Sequence, residues 1–560
     1  MRRLTYMALL PLALSAQDAR TPLIGTWEGA DRPPVAAAGP ITLRRTSGGW
    51  RLETTAGSVD APAAEQLSLT VAAGGTLRLP VREGAPVGRA MWVQPAGNMG
   101  YGYATPVELR RQRDGSWRGT VRPLKESVTL AMRAWLREDG TVLARFRNPE
   151  FGWNLGRTFT AQLQDSAVVL RDPATGAVRL TQPYRAATGE IEFDFGRPFA
   201  LRRTSPSPVT TRYGQAPARG GDGWAVATPA RAGLDADRMR ALLQGLVTAD
   251  PFGDSTLLVH SLHVARGGRL VVEHFAPGFD NERLHDTRSA FKTFVDVMVG
   301  AAILAGASLD ADTPLHTLPG VEWPAGDSRR GITLRHLLTH TSGLACDDND
   351  PKSPGNEETM QRQRGQPDWA RYLLAQPALH SPGTHYAYCS GGIHLAATLV
   401  AQATGGWLPA FFERAVAQPL GMAHYALNLT PTGDGYGGGG AYLMPRDLLK
   451  LGQLVLDGGR WRGRQVVPRA WMEASIAHQV PTSDGGSDGL AWHRHTVRAA
   501  GREWQEVEAN GNGGQMVMVV PELQLVVGVT AGNYNRYGTW RRLREEVLPA
   551  IIASVSRGRG

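Results

Sequence analysis

Histidine and cysteine are confined to one side of this chain. All 14 histidines fall between His260 and His495, and both cysteines, Cys346 and Cys389, lie in the same stretch; the first 259 residues contain neither. A chain of 560 residues exceeds one folding unit at ~100–200 residues per domain. So sharp a break predicts at least two modules, with the chemistry in the second. Apolar residues make up 42% and charged residues 20%, ordinary values for a globular chain and the wrong ones for a disordered one. The net charge of +9 reflects a preference for arginine: Lys125, Lys292, Lys352 and Lys450 are the only lysines. No block of five or more basic residues occurs, so no nucleic-acid partner is expected. Beyond the first residues, no apolar run reaches the ~18 residues of a membrane span.

Residues 1–16 read as a secretory signal: Arg2 and Arg3, an apolar stretch from Leu4 to Leu14, then small residues at the cleavage site. The expected location is therefore periplasmic or secreted. Residues 20–204 show short alternating runs separated by turn residues, as in VELRRQ–RDGS–WRGTV, TLAMRAWLR–EDG–TVLARF, SAVVLRD–PATG–AVRLTQ and EIEFDF–GRP–FALRR. Each reads as a hairpin, and about ten strands at this spacing predict one antiparallel barrel or sandwich. Gly25-Thr26-Trp27 is similar to the G-x-W of lipocalin-like barrels. Residues 205–224, rich in Pro, Gly and Ser, read as a linker.

From residue 225 to 560 the pattern is α+β. Leu234–Val247 reads as a capped helix, Ser261–Phe275 as two strands around Gly267-Gly268, Gln515–Thr530 as a hairpin, and Trp540–Val555 as a closing amphipathic helix. The chemistry begins in DTRSAFKTFVDVMVGAAILAG, where Ser289 and Lys292 form S-x-x-K at the start of an apolar, hence buried, helix. Spacing of i, i+3 puts hydroxyl and amine on one face within reach of proton transfer. Burial is expected to lower the lysine pKa enough for it to accept a proton.

Three further segments follow in order: GITLRHLLTHTSGL (331–344), HSPGTHYAYCSGG (380–392) with Tyr388-Cys389-Ser390, and EANGNGGQ (508–515) ahead of a strand. The series S-x-x-K, I-T-x-R-H-L-L-T-H-T-S-G-L, P-G-x-x-x-x-Y-x-[NS] and G-x-G-G-Q resembles the serine β-lactamase-related hydrolases. That superfamily contains class C β-lactamases, D-alanyl-D-alanine carboxypeptidases, family VIII esterases and 6-aminohexanoate-dimer hydrolases, and the resemblance covers roughly Trp224 to Val555. It implies an antiparallel sheet flanked by helices with a helical subdomain. It also implies Ser289 as acyl-forming nucleophile, Lys292 as its proton partner and Tyr388 as general base, then acid. Ser390 would orient substrate or lysine, and the N–H groups of Ser289 and Asn512, next to Gly511, would form the oxyanion hole. The implied function is hydrolysis of a small ester, amide or peptide, with no cofactor or metal. The alternatives are a D-Ala-D-Ala carboxypeptidase or β-lactamase, or a non-catalytic protein that binds ligands or peptidoglycan.

Two departures from the family pattern stand out. Ala509 occupies the position two before Gly511 where relatives carry a cation or a His or Trp, which favours ester or amide substrates over β-lactams. Ser390 replaces an Asn. Other motifs read as structural: Gly485–Gly489 matches G-x-S-x-G but lies in a polar loop. His336 and His340 lack a partnering carboxylate, the Asp347–Asp350 run reads as solvated, and Gly437–Gly440 as flexible backbone near the cleft. Cys346 and Cys389 either form one disulfide or remain two buried thiols; a bridge would pin the loop carrying Tyr388.

Overall fold

The computed structural model describes residues 22–31, 39–72, 74–95, 102–124, 128–148, 150, 158–194, 198–204, 215–253, 255–483, 485–536 and 538–556. The expected signal segment, Lys125 and the first ten residues of the expected linker lie outside them. The described parts of residues 1–32, 127–208 and 250–256 form one compact unit, and those of 33–126, 209–249 and 257–560 form another.

The first unit is a closed antiparallel barrel of eight strands: Gly25–Ala30, Thr129–Leu136, Val142–Arg147, Thr158–Gln164, Ala167–Arg171, Val178–Arg185, Glu190–Asp194 and Pro198–Thr204. Closure comes from pairing of Gly25–Ala30 with Pro198–Thr204, which removes the unpaired edges an open sheet would expose. Alternation does what the sequence pattern implied: buried positions recur every second residue in Val142–Arg147 and Glu190–Asp194. The interior is filled with side chains, with Phe146 and Phe193 edge-to-face at 5.1 Å. Trp27 is buried there too, its indole N–H donating to Leu23 O at 2.8 Å.

In the second unit a nine-stranded sheet, all but one of its strand pairs antiparallel, is covered on both faces. In Gln515–Val520, Met516 and Met518 face the helices Ala236–Thr248 and Leu548–Ser554, whereas Val517 and Val519 face Lys292–Leu304 and Pro445–Leu456. The predicted capped helix forms, with Asp235 accepting from Asp237 N and Arg238 N. Both predicted hairpins form as well, Val259–Arg266 with Arg269–Phe275 and Gln515–Val520 with Leu525–Ala531. Among the described residues no single helix is long and apolar enough to cross a membrane.

The single β domain expected over residues 20–204 is divided between the two units. Residues 39–124 supply a five-stranded sheet and four of the seven main strands of a second sheet, ordered His285–Asp286, Ala441–Leu443, Tyr425–Asn428, Tyr103–Val107, Ala90–Gln94, Thr76–Arg82, Gln66–Thr70. Ile41, Leu43, Trp50 and Leu52 of one sheet pack on Leu77, Leu79 and Trp92 of the other, a sandwich core. The join to the later sequence is direct, Leu427 pairing with Ala104 and Asn428 with Tyr103. Arg89 fixes it, donating to both carboxylate oxygens of buried Glu413 (2.5 and 2.9 Å), which also accepts from Tyr425 Oη at 2.6 Å. Alternation marks each strand but not its partner, so local pattern could not reveal a pairing across 320 residues. The last strand of this sheet, His285–Asp286, leads straight to Ser289.

Candidate active site

Ser289 lies in a single 3₁₀ turn, Arg288–Phe291, that continues into the helix Lys292–Leu304. That helix is buried almost all round, as its apolar composition predicted. The turn is held against strands on two sides. Thr287 N and Oγ1 both donate to Ala441 O, at 2.9 and 2.8 Å. Gly511, at the end of strand Arg502–Gly511, packs so closely that a Cβ there would lie 2.3 Å from Thr287 O and 3.0 Å from Ala290 N. Only glycine lets that strand end reach the serine.

Lys292 Nζ donates to Ser289 Oγ at 2.8 Å. The same ammonium sits 4.9 Å from the centroid of the Tyr388 ring. Three residues separated by almost 100 positions thus converge. Burial on its own would push the Lys292 pKa down, as the sequence suggested. Tyr388, Glu357 and Asp348 outweigh it, and the amine is held above its ordinary 10.5. Lys292 is therefore a buried cation, not a neutral base.

Two covalent and packing constraints hold Tyr388. Cys346 and Cys389 are bridged, with Cα atoms 5.4 Å apart, tying the Tyr388 loop to the T-S-G-L turn. On the other side His340 lies 4.6 Å from the Tyr388 ring, and its Nδ1 accepts from Cys389 N at 3.2 Å. Burial drops the His340 pKa to about 3, so the ring is neutral and its Nε2 carries the proton. His336 also acts structurally, accepting from Thr333 N at 3.1 Å to cap a helix. A bridge closing 43 residues restricts the unfolded chain by about 4 kcal/mol in the loop-entropy picture. The C346S/C389S protein is expected to be ~2–4 kcal/mol less stable. In urea titrations, reductant should bring the unmodified protein to the variant's midpoint and leave the variant's own midpoint unmoved.

Ser390, the first residue of helix Ser390–Ala403, is fully buried. Its N–H donates to Asp348 Oδ2 at 2.7 Å, and its Oγ has no hydrogen-bond partner among the described residues. The Asn512 side chain is turned to loop architecture: Nδ2 donates to Asn535 Oδ1 at 2.9 Å and Oδ1 accepts from Asn535 N at 2.8 Å. Any contribution to an oxyanion hole would come from its backbone, as the sequence argument required.

Several residues at the site were not singled out beforehand. Asp348 was expected in solvent; instead its two carboxylate oxygens accept from Ser390 N and from Glu357 N (2.8 Å), joining two helix starts. Burial raises the Glu357 pKa, against the opposing pull of Lys292, and Tyr436 Oη donates to Glu357 Oε1 at 2.6 Å. Gly437–Gly440 is tightly packed, not loose: a Cβ on Gly438 would lie 2.2 Å from Tyr436 Oη and 2.8 Å from Ser390 O. Within the G-x-S-x-G stretch, Ser487–Asp488 forms a short strand, and Asp488 is buried, accepting from Tyr386 Oη at 2.9 Å and pairing with His493 Nδ1 at 2.6 Å. Acidic or glycine-rich composition alone does not distinguish a solvated loop from one wrapped around a buried carboxylate.

A serine, a buried lysine and a phenol are thus brought together at the start of an apolar helix. Residues 249–547 match the family model described as Beta-lactamase, and the chain belongs to that family. It is 24% identical over 280 residues to the 6-aminohexanoate-dimer hydrolase of Paenarthrobacter ureafaciens, covering 47% of this chain and 70% of that one. It is 35% identical over 107 residues to monacolin J acid methylbutanoyltransferase of Aspergillus terreus, covering 19% and 26% respectively. Among solved structures, a penicillin-binding protein homologue from Caulobacter crescentus is 16% identical with a TM-score of 0.45, covering 57% of this chain and 99% of that one.

Proposed function

We propose that the chain is an exported serine hydrolase that cleaves ester or amide bonds of small substrates through an acyl-enzyme on Ser289. The observation that carries this reading is the approach of Lys292 Nζ to Ser289 Oγ (2.8 Å) and to the Tyr388 ring (4.9 Å to its centroid). Ser289 Oγ attacks the carbonyl carbon while its proton passes to the Tyr388 oxygen. Lys292, already cationic, stabilises the phenolate form that accepts it. The proton then goes to the departing alcohol or amine, and the ester of Ser289 remains. Water repeats the sequence in reverse roles, with Tyr388 taking its proton and Ser289 leaving as the alcohol. The two relatives are named for hydrolysis of a 6-aminohexanoate dimer and for transfer of a methylbutanoyl group, which supports acyl chemistry on small substrates. The Cys346–Cys389 bridge supports an oxidising compartment.

A fluorophosphonate probe tests the reading, because it reacts with an activated serine and not with an ordinary one. Peptide mass mapping should place the adduct on Ser289 in the unmodified protein and find none in S289A. Equal labelling of both proteins, or none in either, would remove the nucleophile assignment.

A further inference from the structure

The turn that joins strands Arg502–Gly511 and Gln515–Val520 has three successive carbonyls, each accepting from a side chain. Gly511 O accepts from Trp540 Nε1 at 2.9 Å, Asn512 O from Gln515 Nε2 at 3.2 Å, and Gly513 O from Asn533 Nδ2 at 3.3 Å. The donors are themselves fixed. Gln515 is fully buried and exchanges two hydrogen bonds with Ala531, Nε2 to O at 2.7 Å and Oε1 from N at 3.1 Å. Asn533 Oδ1 accepts from Leu258 N at 2.9 Å. Trp540 stands on the short helix Thr539–Arg542, its rings packed on the apolar side chains between sheet and C-terminal helix. Gly513 and Gly514, both at φ 95°, take the left-handed backbone that so tight a turn requires.

A carbonyl and the N–H that follows it in a trans peptide point in opposite directions. Holding Gly511 O from the Trp540 side therefore turns the N–H of Asn512 to the other side. Gly511 abuts the Ser289 turn, a Cβ there lying 3.0 Å from Ala290 N, and among the described residues Asn512 N donates to none. Gly511 O, by contrast, accepts twice, the second time from Gly514 N at 3.2 Å. A carbonyl with a backbone donor already in place does not need an indole to satisfy it. Packing does not need the N–H either, since any aromatic ring would fill the same space. What the Trp540 N–H adds is direction, fixing the plane of the one peptide whose N–H stands unpaired beside the nucleophile.

We propose that Trp540 is a positioning residue: by holding Gly511 O, its indole N–H aims the Asn512 N–H at the oxygen that becomes negative when Ser289 attacks. This rests on the hydrolase reading of the site. W540F removes the N–H and keeps an aromatic ring. On 4-nitrophenyl butyrate its kcat should fall about tenfold with KM unchanged, the effect of a small misplacement. Loss of an oxyanion donor outright costs more, ~10²–10³-fold. Two inhibitors separate positioning from general distortion. Butylboronic acid bonds through boron to Ser289 Oγ, the serine proton passes to Tyr388, and a boron oxygen takes the place of the oxyanion. Its Ki should rise about tenfold in W540F, in step with kcat/KM. 4-Nitrophenyl butyl ether, which keeps both halves of the ester and lacks the carbonyl, should bind both proteins equally. Replacing Trp540 by 3-benzothienylalanine, which puts sulfur where the N–H stands and keeps both rings, should give the same readings and serves where W540F packs poorly. A kcat within about twofold of the unmodified protein in these variants, or parallel weakening of boronic acid and ether, overturns the role of Trp540 and leaves the hydrolase reading in place. An unmodified protein that neither turns over the ester nor binds the boronic acid overturns both.

Discussion

Replacing Tyr388 by phenylalanine is expected to lower kcat/KM on an activated ester ~10²–10⁴-fold, the range for loss of a positioned general base, while the protein stays folded. The ring packs on His340 at 4.6 Å and beneath Lys292 at 4.9 Å. Phenylalanine keeps both contacts and loses only the oxygen. The size of the effect follows from the charge state of the lysine. Held above its ordinary 10.5 by Tyr388, Glu357 and Asp348, which together outweigh burial, Lys292 is an ammonium throughout the neutral range. It has no lone pair with which to take the Ser289 proton. In the proposed mechanism the acceptor is the Tyr388 oxygen, on a ring whose centroid lies 4.9 Å from the ammonium. The pH profile carries the same signature. Deprotonation of Lys292 would remove the cation that supports the phenolate, so activity should fall on the alkaline side only above the usual lysine range. Ester turnover by Y388F equal to that of the unmodified protein would exclude Tyr388 as the base and return that role to the lysine.

The site was legible in the sequence where chemistry depends on short-range spacing. Ser289 and Lys292 are one helical turn apart, and their 2.8 Å contact is what i, i+3 spacing on a buried helix dictates. Tyr388 came from motif order, since nothing local says that a tyrosine 96 positions on will meet that lysine. The residues that set the electrostatics were not legible. Asp348 looks like part of a solvated acidic run until Ser390 N and Glu357 N are seen to converge on it. The fold shows the same division. The barrel strands from Thr129–Leu136 onward were legible because each pairs with the next in sequence, whereas the pairings of Gly25–Ala30 with Thr129–Leu136 and of Tyr103–Val107 with Tyr425–Asn428 are set by tertiary contacts that period-2 alternation does not encode.

The second large effect concerns stability, and it lies one turn beyond the lysine. Asp296 is fully buried in the helix Lys292–Leu304. Its Oδ1 accepts from Trp471 Nε1 and Ser475 Oγ, both at 2.9 Å, and its Oδ2 from Trp492 Nε1 at 3.0 Å. Burial pushes its pKa from 3.8 up to about 7, although all three donors pull the other way. In the unfolded chain an aspartate titrates near 3.9. Below that pH both states hold the proton. Above it the unfolded chain ionises and the folded one does not, so stability contributed by this group is present in acid and is lost as pH climbs to about 7. At 1.36 kcal/mol per unit the loss amounts to about 4 kcal/mol. Asn at 296 keeps an acceptor for Trp471 and Ser475, aims an amide N–H at Trp492, and does not titrate. The stability difference between the unmodified protein and D296N, followed by urea midpoint through tryptophan fluorescence, should therefore shift against the unmodified protein between pH 4 and 7. D296A should be worse by a different route: Trp492 Nε1 is left buried without its acceptor at ~1–3 kcal/mol, whereas Trp471 Nε1 keeps the backbone Asp296 O at 3.3 Å and Ser475 Oγ keeps Trp471 O at 2.9 Å. A loss of about 1–3 kcal/mol relative to the unmodified protein is expected at pH 5, smaller at pH 8 where the native carboxylate carries its own burial cost. Parallel pH profiles for the unmodified protein and D296N would mean that Asp296 ionises in the core as readily as in water, and that the three donors, rather than the surrounding apolar side chains, set its charge.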